Sequence, residues 1–244
     1  MPHNSNGRHQ VGGILALLAS GSLLLAAGPA LARPNCGDWN TWDFFYQATA
    51  ADVGRCLSQG ADPNARDEDR YTPLLSVLGK AVLADLAGAD LEARADVEVV
   101  KVLLAAGADP NARGVTPLHG AARLSETPAV VKALLAAGAD LEARDEHGLT
   151  PLHRAAASSK TPAVVKALLA AGADPNARAK GGATPLHGAA SLSETPAVVK
   201  VLLDAGADAS AKTNKGKLPV ELIPDDSPLR GTDVYWRLNE GRYR

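Results

Sequence analysis

Three histidines stand in the same setting: Thr116-Pro117-Leu118-His119, Thr150-Pro151-Leu152-His153 and Thr184-Pro185-Leu186-His187, with successive copies 34 residues apart. Imidazole binds metals readily and changes charge near neutral pH, so a regular row of histidines raises a metal site or a proton relay first. Five aspartates recur as regularly, each in Gly-Ala-Asp: Asp62, Asp109, Asp140, Asp174 and Asp208. Carboxylates of this kind do general acid–base work. Four residues beyond each runs a basic ladder, Arg66, Arg113, Arg144, Arg178 and Lys212, that would suit an anion. The two cysteines, Cys36 and Cys56, complete the reactive set.

Repetition itself argues against catalysis. An active site needs a few different groups converging on one point, whereas groups repeated once per unit lie a layer apart. Zinc needs each donor about 2 Å from the ion, and packed layers stand about 10 Å apart. The histidines are therefore read as structural. Each aspartate follows the end of an apolar helical segment and suits a side-chain bond to the turn backbone. The basic ladder is offset by Asp67, Glu68, Asp145 and Glu146 and reads as a solvated row, since exposed ion pairs are worth little. No phosphate loop, Cys-x-x-Cys pair, nucleophile elbow or His-Glu-x-x-His occurs. The expectation is a non-enzyme with no metal and no cofactor.

The elements that hold these residues follow from the same repeat. Thr caps a helix and Pro is tolerated at its first position, so each Thr-Pro starts a helix. A second Thr-Pro, as at Thr127-Pro128, starts another, whose apolar face is Val130, Val131, Leu134 and Leu135. Gly138, Gly172 and Gly206 come 22 residues after the Thr of each unit and supply the left-handed residue that ends it. A polar hairpin then leads to the next Thr-Pro.

Together these features closely resemble the ankyrin repeat family. The resemblance covers roughly Trp39 to Leu222, in three full and two partial copies, with a period one residue longer than the usual 33. It implies an all-α solenoid of stacked helix pairs with β-hairpin or turn fingers, capped at both ends. It also implies that His119, His153 and His187 bond within the Thr-Pro-Leu-His turn and to the neighbouring hairpin. One unit cannot bury its own apolar face, so units must stack.

The expected divisions are a leader at 1–32, an N-terminal capping half-repeat at 33–66, repeats at 67–113, 114–144, 145–178 and 179–212, and a C-terminal cap at 213–244. The cap brings Thr232–Leu238, with Tyr235 and Trp236, back over the last apolar face. Val11–Leu31 carries no charge and ends in Gly28-Pro29 and then Ala30-Leu31-Ala32, the small-x-small pattern of signal cleavage. Cleavage after Ala32 leaves Arg33 first, and the alternative is an uncleaved anchor. In an exported chain Cys36 and Cys56 read as a disulfide.

The unit 67–113 differs from the rest. Thr72 to Gly107 spans 35 residues where the other units use 22. The 13 extra fall between the helices, at about 82–96, and contain Gly88–Arg94, a copy of Gly138–Arg144. The first helix is expected to run from Pro73 to about Ala87, with Ala89–Asp96 looping back. The insertion is read as a relic of sequence slippage, with a binding loop as the other reading.

Formal net charge is −2, which gives nucleic acid or an anionic membrane no reason to bind. The family resemblance implies protein recognition on the hairpin tips and first helices. Tip candidates are Asp67, Glu68, Asp69, Arg70 and Tyr71, then Asp145, Glu146 and His147, then Lys180 and Lys215. First-helix candidates are Lys80, Arg123, Leu124, Ser158 and Leu192. The chain thus resembles small exported bacterial ankyrin proteins: a monomer, in the periplasm or outside the cell, that binds an unidentified protein. Other readings are a chaperone-like or protective accessory to a periplasmic enzyme, for instance in oxidative stress, and a secreted effector acting on host or competitor proteins.

Overall fold

Each Thr-Pro-Leu-His starts a helix, as the chemistry of its first two residues requires. A computed structural model describes residues 33–79, 93–112, 116–124, 128–158, 161–193 and 195–243, all within one compact unit, Arg33–Arg244. The expected leader and its cleavage site lie outside the described residues, as do residues 80–92, which hold the expected end of the first helix near Ala87 and most of the insertion at about 82–96.

The helices are α1 (Trp42–Gln47), α2 (Ala50–Ser58), α3 (73–79), α4 (Ala93–Ala105), α5 (Pro117–Leu124), α6 (Pro128–Ala136), α7 (Pro151–Ser158), α8 (Ala163–Ala170), α9 (Pro185–Leu192), α10 (Pro196–Asp204) and α11 (Asp233–Glu240). First helices pack side by side, α5 on α7 and α7 on α9, and α9 meets a 3-10 turn at Pro219–Leu222. Second helices form a parallel row: α2, α4, α6, α8, α10 and then α11.

The two rows bury different residues. α6, α8 and α10 each sink two valines and a leucine, as in Val130, Val131 and Leu134. A leucine removed from water in this way contributes about 1.5–3 kcal/mol. First helices bury one leucine and two alanines, as in Leu152, Ala155 and Ala156. The small side chains let neighbouring first helices approach closely: a Cβ on Gly188 would lie 3.6 Å from the Ala157 methyl. α4 begins at Ala93, so the last residues of the loop expected up to Asp96 are helical.

Both ends are closed. Trp39, Phe44 and Phe45 form an aromatic cluster with centroids 5.0–5.3 Å apart, and Trp39 Nε1–H donates to Asp62 O at 2.8 Å. Cys36 and Cys56 are joined by a disulfide, as expected, with Cα atoms 5.3 Å apart. The six-residue α1 precedes α2, so the N-terminal cap keeps a short first helix. At the other end α11 packs on α10 and on the 3-10 turn. Val234 and Leu238 are buried there, and Arg237 reaches Asp204 on α10 at 2.9 Å.

The fingers are turns, and among the described residues no strand forms. The fingers at 67–71, 145–149, 179–183 and 213–217 are each closed by two backbone bonds, for example Asp145 N–H to Leu149 O at 3.1 Å and Gly148 N–H to Asp145 O at 2.8 Å. Neighbouring fingers share single backbone bonds, Lys180 N–H to His147 O and Asn214 N–H to Gly181 O, both 3.0 Å. That is too few for a ladder.

Candidate protein-interaction surface

The repeated polar residues are committed to the stack. Thr150 and Thr184 donate their backbone N–H to Nδ1 of His153 and His187 at 3.1 Å, so Nδ1 is the unprotonated nitrogen. In all three histidines the Thr hydroxyl also lies against Nδ1, at 2.7–2.9 Å. Nε2–H then donates to a carbonyl of the next finger: Leu149, Ala183 and Lys217 O, at 2.9–3.1 Å. Burial lowers the pKa of each ring below 6.5, against the opposing pull of that carbonyl. With both nitrogens engaged, these neutral rings have no lone pair to offer a metal. Among the described residues no three His, Cys, Asp or Glu side chains are placed to hold one.

The Gly-Ala-Asp carboxylates behave as the turn chemistry predicts. Each accepts the backbone N–H two residues on: Asp62 from Asn64, Asp109 from Asn111, Asp140 from Glu142, Asp174 from Asn176 and Asp208 from Ser210, at 2.8–3.0 Å. The asparagine in that turn bridges to the next unit. Asn64 donates to Gly107 O and accepts from Asp109 N–H, at 2.9 and 2.7 Å. Asn111 does the same with Gly138 and Asp140, and Asn176 with Gly206 and Asp208. Glu142 occupies this place in the middle unit and only accepts, from Asp174 N–H at 2.9 Å.

Arg144, Arg178 and Lys212 of the basic ladder are exposed, and the two guanidiniums also bond to the neighbouring finger. Arg144 donates to Gly148 O and to Arg178 O, at 3.1 and 2.7 Å. Arg178 donates to Lys212 O at 2.8 Å. These guanidiniums stitch one finger to the next.

Glycine is required where the fingers pass closest. At Gly182 φ is +74°, and a Cβ would run into Asn214 and Arg178. The equivalent residue in the first finger is Arg70, held in the left-handed region at φ 68°.

Asp145 does not stand at the finger tip surface. It is 7% exposed and accepts from His147 and Leu149 N–H at 2.9 Å. It also pairs with Arg154, whose Nε lies 3.1 Å away. Burial pushes its pKa up, but Arg154 and the two backbone donors together bring it below the ordinary carboxylate value. Arg154 fills the position that Gly120 and Gly188 hold in the flanking units.

The remaining candidates divide plainly. Glu68, Asp69, Arg70, Glu146, His147, Lys180 and Lys215 are exposed on the fingers, and Asp67 is half-buried with its carboxylate on Tyr71 N–H at 2.7 Å. Tyr71 is 52% exposed and Leu192 67%, while Arg123 and Ser158 are exposed near the ends of α5 and α7. Lys80 and the Leu124 side chain lie outside the described residues. The single backbone bonds between fingers bring the tips of His147, Lys180 and Asn214 into one row.

These layers define a repeat scaffold: helix pairs joined by recurring inter-unit bonds, with changing residues on the fingers. A family model described as Ankyrin repeats (3 copies) matches residues 90–179 and 155–221. The chain belongs to the ankyrin repeat family, whose repeats are typically protein–protein interaction modules without enzymatic activity. A search of curated proteins found no match.

Proposed function

We propose that this chain is an exported protein-binding scaffold that grips its partner with the finger tips and the exposed ends of the first helices. One observation carries the reading. The repeated His, Asp and Asn side chains are used up in bonds within and between units, while exposed finger-tip residues at equivalent places differ from unit to unit. Ser158 and Leu192 are equivalent in register, as are the tip pairs Glu68-Asp69, Glu146-His147, Lys180-Gly181 and Asn214-Lys215. A surface varied upon a fixed frame suits recognition of one shape rather than chemistry. Export is supported by the disulfide between the chain's two cysteines, which persists in oxidising compartments. No described helix is long and apolar enough to cross a membrane.

The test is crosslinking of the full chain in its native cells, separately in cell envelope and culture medium, with mass spectrometry of captured proteins. A triple variant, Tyr71→Ala, Arg123→Ala and Leu192→Ala, should fold and lose the captured protein. Capture that survives all three changes would place the partner elsewhere and overturn this reading. Sequencing of the exported chain should give Arg33 as its first residue.

A further inference from the structure

The fingers change sign along the stack. The first presents Asp67, Glu68 and Asp69. The last two present Lys180, Lys212, Lys215 and Lys217, all exposed. Among the described residues no carboxylate lies within ion-pair distance of these four ammonium groups. Glu221 is close enough to feel Lys217, Arg242 and Lys212, but its carboxylate is occupied by Leu218 N–H at 2.9 Å.

The backbones that carry these lysines are fixed. Lys180 donates to His147 O and accepts from Asn214 Nδ2, both at 3.0 Å. Lys212 O accepts from Arg178 at 2.8 Å. Lys217 donates to Thr213 Oγ1 at 3.1 Å, and its carbonyl takes both Thr213 N–H at 2.9 Å and His187 Nε2–H at 3.1 Å. Lys215 sits in the turn closed by Gly216 N–H to Thr213 O at 2.9 Å. Four cations are thus presented from a rigid frame with no described carboxylate in ion-pair contact, and Glu221 acts on Lys212 and Lys217 only from beyond that distance. Fixing the frame in advance lowers the ordering cost of binding, and an unpaired cluster of one sign draws in its complement.

We propose that the last two fingers take a short acidic segment of the partner protein, Asp- or Glu-rich, and that the acidic first finger fixes the direction in which that partner lies. The proposal rests on the interaction-module reading above and names the chemistry of one part of that surface. A nucleic acid is disfavoured by the same row. A long polyphosphate continuing past these fingers would meet Glu146 and then Glu68 and Asp69 at the equivalent tips, and be repelled.

The experiment uses the full chain after export and a fluorescein-labelled peptide of alternating glutamate and glycine, read by anisotropy. A glutamine version and a single-stranded oligonucleotide are the comparison probes. The glutamate peptide should bind, the glutamine peptide should not, and affinity should fall about tenfold as salt rises from about 50 to about 300 mM, because the Debye length shrinks. The double variant Lys180→Glu with Lys215→Glu should weaken binding by about tenfold or more. The single variant Lys215→Glu should give an intermediate loss, and both should keep the wild-type circular dichroism. Equal binding of the two peptides, no binding by wild type, or tighter binding of the oligonucleotide would each overturn the acidic-segment proposal. Those outcomes leave the capture experiment with Tyr71, Arg123 and Leu192 to decide the interaction module on its own.

Discussion

The value of each repeated polar residue shows best where the repeat lacks it. Thr72 has Leu75 where the other units have histidine, and its hydroxyl is buried with no hydrogen-bond partner. Thr72→Val should therefore be neutral or slightly stabilising in urea melts. Thr150→Val removes a hydroxyl that lies 2.9 Å from His153 Nδ1 and should cost about 1 kcal/mol. Equal losses for the two would show that the hydroxyl contact is idle. A similar gap lies at Glu142, which as a carboxylate has nothing to donate to Gly172 O. Glu142→Asn should restore the bridge that Asn111 and Asn176 make and raise stability by about 1 kcal/mol; an unchanged urea midpoint would refute the bridging role. The aspartate role was legible in the sequence because its turn partner lies two residues away. The histidine role was legible only through the family resemblance, since its second partner is a carbonyl 30 residues on. The asparagine and arginine bonds were not, since Asn64 meets Gly107 and Arg144 meets Arg178. Yet asparagine at 64, 111 and 176, always two residues past the aspartate, was a usable signal. Asp145 misled for another reason: only the fold shows that Arg154, nine residues on, turns back to cover it.

At the scale of elements, stability depends on the ends, because each end unit has a neighbour on one side only. α2 carries Cys56, fully buried, and the disulfide ties it to the segment before α1. Closing a loop of that length contributes on the order of 3 kcal/mol by restricting the unfolded chain. Cys36→Ser with Cys56→Ser, or reduction of the wild type, should lower stability by about that amount. The loss should appear first at the N-terminal end, so hydrogen exchange is expected to speed up in α1 and α2 while α7 to α9 stay protected. Uniform acceleration along the chain would mean that the cap is not a separate weak point. The end units were legible in outline: the Cys pair, the aromatic N-terminal cluster and the fold-back of Thr232–Leu238 can each be read from composition. The short α1 was not, as it lacks the Thr-Pro start, and Thr41 instead caps it by accepting from Phe44 N–H at 3.2 Å. The start of α4 at Ala93 was also hidden, because the copied Gly88–Arg94 sequence carries turn chemistry in its other setting and Ala93 begins a helix in this one.

Across the whole molecule, three consecutive layers share one titrating device, and its effect should add. His119, His153 and His187 are held neutral by burial, each with its pKa below the ordinary 6.5. An unfolded chain has no such burial, so its histidines gain protons near 6.5 while the folded ones do not. Below that pH the unfolded state binds more protons, and stability falls as pH falls. Above it both states are neutral and the layers keep their full strength. Each such group contributes a slope of about 1.4 kcal/mol per pH unit inside its window, so three acting together approach about 4. Buried Asp145, whose pKa lies below the usual 3.8, begins to lose its contribution only at much lower pH and does not enter this window. Urea midpoints at about pH 7.5, 6.5 and 5.5 should therefore hold nearly level over the first step and drop steeply over the second. His153→Gln, though less stable at neutral pH, should reduce the drop by about a third, because one of three equal contributors is gone. A drop of the same size in that variant would mean that the acid sensitivity arises outside the histidine layers, whereas level midpoints in the wild type down to pH 5.5 would mean that the folded rings accept protons without loss of their bonds.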